Sequence, residues 1–314
     1  VYYFGVFQGM RKYFLTAVAL KAFSLNSVTR LAYRKLGNSI GQKRREKQNI
    51  DAYVERGDLL VETACQYGLL DRDITAAELG TGWIHWFGLY FALHSRKNVK
   101  LHLFDVWDNR QLNALKSSFS GLAGRWKKNS DTDQKKLQKI ANLLKVDSFE
   151  DLYDLFSASY TVNEQGSLTS YNDNTYDALF SFHVMEHIGR DSIEDCIGNM
   201  YRMLKPGGVC IHQIGIDDHL SHYDKTASPK AYLGYSLKAR KRLFENVVQY
   251  HNALQAEDFI RYFRDHNFEI LSCHREKTTV EDLSIHDDWI KYSQEDLETT
   301  ILTVVCKKPE EHPL

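Results

Sequence analysis

Glu78-Leu79-Gly80-Thr81-Gly82, entered from Ile74-Thr75-Ala76-Ala77, is the stretch that decides the fold. A short apolar strand runs there into a Gly-x-Gly turn. A second apolar strand, Val99-Lys100-Leu101-His102-Leu103-Phe104, follows and ends on Asp105. Strand, glycine turn, helix, strand and acid form one half of a nucleotide-binding α/β sheet. Glycine lets the backbone turn sharply and come close to a ligand, because no Cβ stands in the way. Asp105 stands where an acid accepts hydrogen bonds from ribose hydroxyls.

The turn departs from a dinucleotide signature. The third glycine of G-x-G-x-x-G permits close helix–strand packing beside a pyrophosphate; here that position is His85, after the bulky Trp83 and Ile84. Glu78 would repel a phosphate and attract an ammonium group. The pocket therefore suits a nucleoside without phosphates. S-adenosylmethionine has a ribose, a free amino group and no phosphate.

Three further segments carry a family likeness. They are Tyr176-Asp177-Ala178-Leu179-Phe180-Ser181, Val184-Met185-Glu186-His187-Ile188 and Met203-Leu204-Lys205-Pro206-Gly207-Gly208-Val209. With the glycine turn, they resemble in order and spacing the class I S-adenosylmethionine-dependent methyltransferases, over residues 74 to 308. The resemblance implies an α/β fold: a Rossmann-like seven-stranded sheet with an antiparallel last strand, an N-terminal helical cap and helical insertions. It also implies S-adenosyl-L-methionine as cofactor. Glu78, Gly80, Thr81 and Gly82 would then line its methionine part and Asp105 would bind the ribose. Val106 or Trp107 would lie beside the adenine, Gly166 and Ser167 would pass its edge, and His183 would line the pocket.

Composition agrees with a globular enzyme. The chain has 314 residues, 43% hydrophobic and 26% charged, enough for one large domain or a domain with an appendage. A formal net charge of −1 supplies no global field toward nucleic acid or anionic lipid. The five cysteines, Cys65, Cys196, Cys210, Cys273 and Cys306, form no C-x-x-C pair. They support neither a zinc ribbon nor a disulfide framework and suit a reducing cytoplasm. The apolar run Tyr13 to Leu20 stops at Lys21 and is too short to span a bilayer. The expected partner is a small-molecule substrate, with no nucleic acid and no stable membrane insertion; a homodimer is left open. Residues 1–9 read as the remnant of a cleavable tag.

Residues 10–72 read as a helical cap, with Leu15, Val18, Ala19 and Ala22 on one face of a first helix. In a second helix Tyr53, Leu59, Leu60 and Ala64 are core candidates. The basic run 41–47 between them reads as a solvated face. Residues 73–314 form the methyltransferase domain. Strands are expected near 74–79, 99–105, 159–162, 178–182, 209–214, 268–273 and 300–306. Insertions near 107–157 and 217–255 interrupt it; the first is lysine- and leucine-rich at helical spacing. Open α/β sheets bind ligands beyond the carboxyl ends of their strands, so insertions at that edge become lids.

Methyl transfer requires nucleophile, methyl and sulfur in line, and an oxygen nucleophile must also lose a proton. Four histidines supply candidates for that base: His187, His219, His222 and His251. Glu186, Asp218, Tyr250 and Asn252 are candidates for substrate binding. His85, His94, His102, His212 and His274 read as ordinary strand or helix positions. The pattern D-H-x-x-H-x-D over 218–224, with Tyr250-His251-Asn252 later, resembles a subset of bacterial methyltransferases associated with sugar or surface-polysaccharide pathways. In that subset an arginine follows the second motif; here Ala253 stands there. His219 and His222 with Asp217, Asp218 and Asp224 offer mixed ligands to a divalent metal, but aspartate and histidine in a lid serve more commonly without one, and no metal is expected. The leading expectation is O-methylation of a sugar or other polyhydroxylated metabolite. The alternatives are N- or C-methylation of an aromatic natural product, or a non-catalytic S-adenosylmethionine-binding module.

Overall fold

The computed structural model describes residues 10–128 and 133–310. The stretch 1–9, read as a tag remnant, lies outside the described residues. The helices are α1 (Arg11–Phe23), α2 (Ser27–Arg45), α3 (Asp51–Gln66), α4 (Trp86–His94), α5 (Leu112–Trp126), α6 (Gln134–Leu143), α7 (Phe149–Phe156), α8 (Ile193–Met203), α9 (Leu237–Leu243), α10 (Ala256–Asp265) and α11 (Gln294–Glu298). The strands are β1 (Ile74–Leu79), β2 (Val99–Asp105), β3 (Ala158–Val162), β4 (Tyr176–Phe182), β5 (Leu204–Gly215), β6 (Glu269–Lys277) and β7 (Thr299–Lys307).

The strands order β3-β2-β1-β4-β5-β7-β6. β1 pairs in parallel with both β2 and β4, and β2 with β3. The order reverses between β1 and β4, which makes the end of β1 the switch point where open α/β sheets bind ligands. β7 runs against β5. Gly207 N–H donates to Lys308 O at 2.8 Å and Ile216 N–H to Thr300 O at 2.7 Å, so numbers rise on one strand as they fall on the other. This is the Rossmann-like sheet with an antiparallel last strand that the sequence led us to expect. β4 is buried along its whole length, as a central parallel strand covered on both faces must be.

The strand expected near 209–214 begins earlier, at Leu204. Lys205-Pro206-Gly207-Gly208 already belongs to β5, because Gly207 N–H and Gly208 O both pair with Lys308. Glycine is still required there. Gly207 has φ +77°, and a Cβ on Gly208 would lie 2.8 Å from Lys205 O.

The chain divides into two compact units. One comprises Leu36–Ser181, Gly198–Ile211 and the described residues from Lys307 onward. In its core, α3 buries Val54, Gly57, Leu60 and Ala64. The apolar spacing predicts Leu60 and Ala64 but not Gly57, which is buried because the Tyr90 ring occupies the space a Cβ would need. Helices α5, α6 and α7 fill the long connection from β2 to β3. Ser148 and Asp151 close a capping box that starts α7. The basic run is not wholly solvated. Arg45 lies 4.2 Å over the Trp83 ring and donates to Gln111 Oε1 at 2.8 Å, a planar cation stacked on an aromatic face.

The other unit comprises the described residues up to Lys35, Phe182–Ile197 and His212–Cys306. α1 turns Tyr13, Ala17 and Leu20 inward, at helical spacing, onto Leu220, Ala227, Ala231 and Phe244. Leu15 and Val18, expected on the buried face, are 69% and 67% exposed. The face is chosen by Tyr13, whose hydroxyl finds a buried acceptor and whose ring meets Phe244 edge-on. Lys230 is fully buried in this unit. Its ammonium donates to Thr299 O at 2.8 Å, Gln255 Oε1 at 3.0 Å and Ile216 O at 3.3 Å. Among the described residues, no helix is long and apolar enough to cross a membrane.

Candidate active site

The glycine turn sits at the carboxyl end of β1. Gly80 and Gly82 both have positive φ, +70° and +65°, and a Cβ on Gly82 would enter open space. A ligand can therefore approach that backbone closely. Asp105 closes the turn from the end of β2. Its carboxylate accepts from Gly82 N–H at 2.8 Å and Val106 N–H at 2.7 Å. Burial pushes its pKa up, and these backbone donors work against that rise.

Glu78 lies beneath the turn, 1% exposed. Its Oε2 accepts from Gly88 N–H at 2.9 Å and from the Thr81 hydroxyl at 3.0 Å. Gly88 is in the first turn of α4, whose free N–H groups would otherwise hold a phosphate. A buried carboxylate already takes that donor, so the turn does not act as a pyrophosphate cradle. Gly88 also does the packing work expected of a third glycine. A Cβ there would lie 2.7 Å from Glu78 Oε2 and 2.8 Å from the Leu103 side chain. Counting positions from the G-x-G motif puts His85 in that role; the signal that finds Gly88 is a glycine inside an otherwise bulky helix.

His85 is not an ordinary helix residue. It precedes α4 in a left-handed conformation, φ 46°, and is fully buried. Burial, seconded by the Arg110 charge, lowers its pKa to about 3, so the imidazole is neutral. The hydrogen-bond network assigns its tautomer. The Tyr153 hydroxyl donates to Nε2 at 3.0 Å, Nδ1–H donates to Thr81 Oγ1 at 3.0 Å, and Thr81 donates onward to Glu78. The insertion helix α7 thus supplies Tyr153 to a relay that ends on Glu78. Burial raises Glu78 to about 8, with Gly88 and Thr81 opposing.

Val106 and Gly166 are brought together in this unit. Gly166 has φ +70°, and a Cβ on it would lie 3.6 Å from Val106. Ser167 shares a 2.8 Å hydrogen bond with Thr169, and the Trp107 carbonyl accepts from Tyr160 at 3.1 Å. Arg202, which sequence reasoning did not single out, holds this loop by donating to Leu168 O, Tyr171 O and Asp173.

In the other unit, the four histidines of the base pool converge on one of their number. The His219 ring lies 4.7 Å from His251, 5.0 Å from His187 and 5.5 Å from His222. Each stands in a distinct environment. His222 Nε2 is 2.5 Å from Asp217 Oδ2, and that hydrogen bond raises its pKa. Burial lowers His219 to about 4, helped by the neighbouring His187. His187 Nδ1 donates to Tyr250 O at 2.6 Å. His251 Nδ1 accepts from Ala253 N–H at 3.1 Å, so its proton is on Nε2, and burial holds it well below its ordinary pKa. A neutral imidazole with its acceptor nitrogen already taken is a donor; His251 therefore does not fit the role of base.

His183 ends β4 with φ 55°, and its Nδ1 faces Glu186 Oε1 at 3.2 Å. Glu186 is 1% exposed. Burial opposes its ionisation, but the His183 hydrogen bond and the adjacent imidazoles outweigh that and hold its carboxyl below the usual range. Gly215, missed in the sequence, makes room for this pair: a Cβ would lie 2.7 Å from Glu186 Oε1 and 3.0 Å from His183 Nδ1.

Two expected substrate ligands also hold structure. Asp218 accepts from the Tyr13 hydroxyl at 2.6 Å and caps the turn His219–His222 through Leu220 N–H at 3.0 Å. Asn252 donates to Met185 O at 2.9 Å and Ile188 O at 3.1 Å, and its own Oδ1 accepts from Leu254 N–H. The two donors of Asn252 are taken, while its Oδ1 and the Asp218 carboxylate each keep acceptor capacity. Arg190, which sequence reasoning did not single out, braces this segment. It donates to Asn252 O at 2.6 Å and Ala253 O at 3.0 Å, fixing the Tyr250-His251-Asn252 segment. The Tyr250 carbonyl accepts from His187, and the Tyr250 hydroxyl accepts from Arg190 N–H at 3.4 Å.

Residues 131–212 match the family described as a methyltransferase domain. Among curated protein sequences, none matches the chain. The chain is similar to the solved structure of the 1,6-didemethyltoxoflavin-N1-methyltransferase of Burkholderia thailandensis at 11% identity, over 91% of this chain and 92% of that one, with a TM-score of 0.45. Phosphoethanolamine N-methyltransferase 2 of Haemonchus contortus is similar at 15% identity over 81% of this chain, which spans 53% of it, with a TM-score of 0.45. The [4+2]-cyclase SpnF is similar at 14% identity over 81% of both chains, with a TM-score of 0.43.

Proposed function

We propose that this chain is a class I S-adenosylmethionine-dependent methyltransferase and that it methylates a hydroxyl oxygen of a sugar or other polyhydroxylated small molecule. The residues of the glycine turn fit the cofactor. The open side of Gly82 admits a close ligand, Gly88 N–H is closed to phosphate, and the buried Glu78 offers a negative partner to an ammonium group. In this reading Glu78 and the Gly80-Thr81-Gly82 turn hold the amino-acid end and Asp105 the ribose. Val106, Trp107, Gly166 and Ser167 flank the adenine. When bound, S-adenosylmethionine supplies a methyl group on a positively charged sulfur, so the protein's share is orientation and removal of one proton.

The observation that carries the choice of oxygen is the histidine cluster. An amine delivered neutral needs no base, whereas a hydroxyl does. Asp217 holds His222 by Nε2, which leaves Nδ1 to take the acceptor's proton. The polar surroundings of the small recess beside His219 favour a polyhydroxylated acceptor over an aromatic one. The recess is lined by Asp218, His219, Arg240, Glu245, Asn246, Gln249 and His251 against only Leu20, Leu220 and Phe244 as fully apolar residues. Polar groups that converge in a concave site fix orientation through hydrogen bonds.

Titration calorimetry with S-adenosylhomocysteine tests the cofactor assignment. Asp105→Ala is expected to weaken binding about 10–100-fold, roughly 1.4–2.8 kcal/mol. Methyl-labelled cofactor with panels of hydroxylated and of aromatic amine acceptors, read by mass spectrometry, tests the acceptor. Labelled product from the amines alone would overturn the oxygen reading.

A further inference from the structure

Glu186, His187 and His219 each present one ligand atom, and the three atoms lie within 4.8 Å of one another. Three observations say that these atoms are aimed at something. Glu186 Oε2 is buried and has no hydrogen-bond partner, although its sister Oε1 faces His183. A buried carboxylate oxygen left open is costly unless a ligand completes it. His187 Nδ1 lies 2.6 Å from Tyr250 O. A carbonyl only accepts, so Nδ1 carries the proton and Nε2 keeps its lone pair. Orientation of an imidazole by a carbonyl on its far nitrogen is how metal-binding histidines are commonly held. Finally, the bare Cα of Gly215 keeps the end of β5 clear of the Glu186 carboxylate, where any side chain would displace it.

We propose that Glu186, His187 and His219 form a site of two imidazoles and one carboxylate for a divalent ion of borderline softness, such as Zn2+. That donor set suits such an ion, and three protein ligands leave a coordination position open. Tetrahedral ligands about 2.0–2.1 Å from an ion lie roughly 3.4 Å apart, so a closure of about an ångström brings the three atoms into place. This ligand set differs from the His219-x-x-His222 pairing suggested by spacing. His222 Nε2 is committed to Asp217, and Asp218 to Tyr13 and the turn it caps.

The ion's role rests on the oxygen-methylation reading. An acceptor hydroxyl at the open position would be acidified, as water is on such ions. It would give its proton to His222 and its electron pair to the methyl carbon, while the carbon–sulfur pair returns to sulfur.

The test uses the full chain stripped by chelator and titrated with Zn2+ by calorimetry and with Co2+ by visible absorption. One equivalent is expected to bind, with Co2+ showing a low-symmetry, four- or five-coordinate spectrum. Glu186→Gln and His219→Ala are each expected to weaken binding by at least about 100-fold, since loss even of an outer-shell partner costs 10–100-fold. His222→Ala is expected to leave metal affinity within about threefold. Thermal melting and S-adenosylhomocysteine binding are followed for every variant. Should Glu186→Gln fail to fold, His219→Ala decides alone. Absence of a stoichiometric site, or equal loss in His222→Ala, overturns the proposal. Retained S-adenosylhomocysteine binding in either case leaves the methyltransferase assignment standing, so the two failures are distinguishable.

Discussion

Glu78 Oε2 accepts the backbone N–H of Gly88 at 2.9 Å, joining the end of β1 to the first turn of α4 through a buried carboxylate. The contact exists only because residue 88 has no side chain. It turns a phosphate-binding helix terminus into a closed corner and leaves the glycine turn to a ligand of different charge.

Gly88→Ala should damage both packing and binding. The added Cβ would lie 2.7 Å from Glu78 Oε2, 2.8 Å from Leu103 and 2.9 Å from Leu101. Neither strand β2 nor the buried carboxylate can give way freely. Denaturant titration is expected to show a loss of about 1–3 kcal/mol, the usual cost of overpacking. Calorimetry is expected to show weaker S-adenosylhomocysteine binding. A variant as stable as the parent would mean that α4 shifts without penalty.

Cofactor affinity should rise with pH below about 8. Burial raises Glu78 to about 8, so in the free protein at neutral pH its carboxyl is largely protonated. A cationic amino group favours the carboxylate and lowers that pKa, so binding releases a proton. Affinity then increases by up to tenfold per pH unit until about pH 8 and levels off above it. Calorimetry in buffers of differing ionisation enthalpy would register the released proton near pH 7. Glu78→Gln should abolish the release.

Lys230 should act as an internal tie in its unit. Replacement by Met leaves Thr299 O, Gln255 Oε1 and Ile216 O without their donor. A loss of about 3 kcal/mol is expected, from unsatisfied buried acceptors offset by a cheaper side chain. The pH dependence has a definite sign. Burial lowers the lysine to about 7, below its unfolded value of roughly 10.4. Between these values the folded chain binds fewer protons than the unfolded one, so this residue makes stability rise with pH. That slope should vanish in Lys230→Met, as urea midpoints at pH 7 and about pH 9 would reveal.

The parts legible in the sequence are those whose cause is local. Alternation and length mark β1 and β2 to the residue, and the positive φ at Gly80 and Gly82 is what a tight strand–helix turn demands. The four histidines stand out because three short motifs that follow β4 and β5 carry them. What escapes depends on contacts between distant segments. Gly88 and Gly215 are needed for what their missing side chains would strike, which no spacing rule reveals. Asp218 and Asn252 look like ligands in a polar motif, and only their partners in space show the structural bonds they also make. The inward face of α1 departs from its apolar pattern because a tyrosine with a buried acceptor outcompetes Leu15 and Val18 for the interior.

Tyr13 is bound twice to the segment that bears the histidines. Its backbone N–H reaches Asp224 at 3.1 Å across 211 positions, and its hydroxyl reaches Asp218 at 2.6 Å across 205. These bonds bracket the turn His219–His222, so α1 is a clamp for that turn. Expression trimmed to start at Asn26 would release both aspartates at once. Cutting the chain back to the first strand would take that support from the turn that bears His219 and His222.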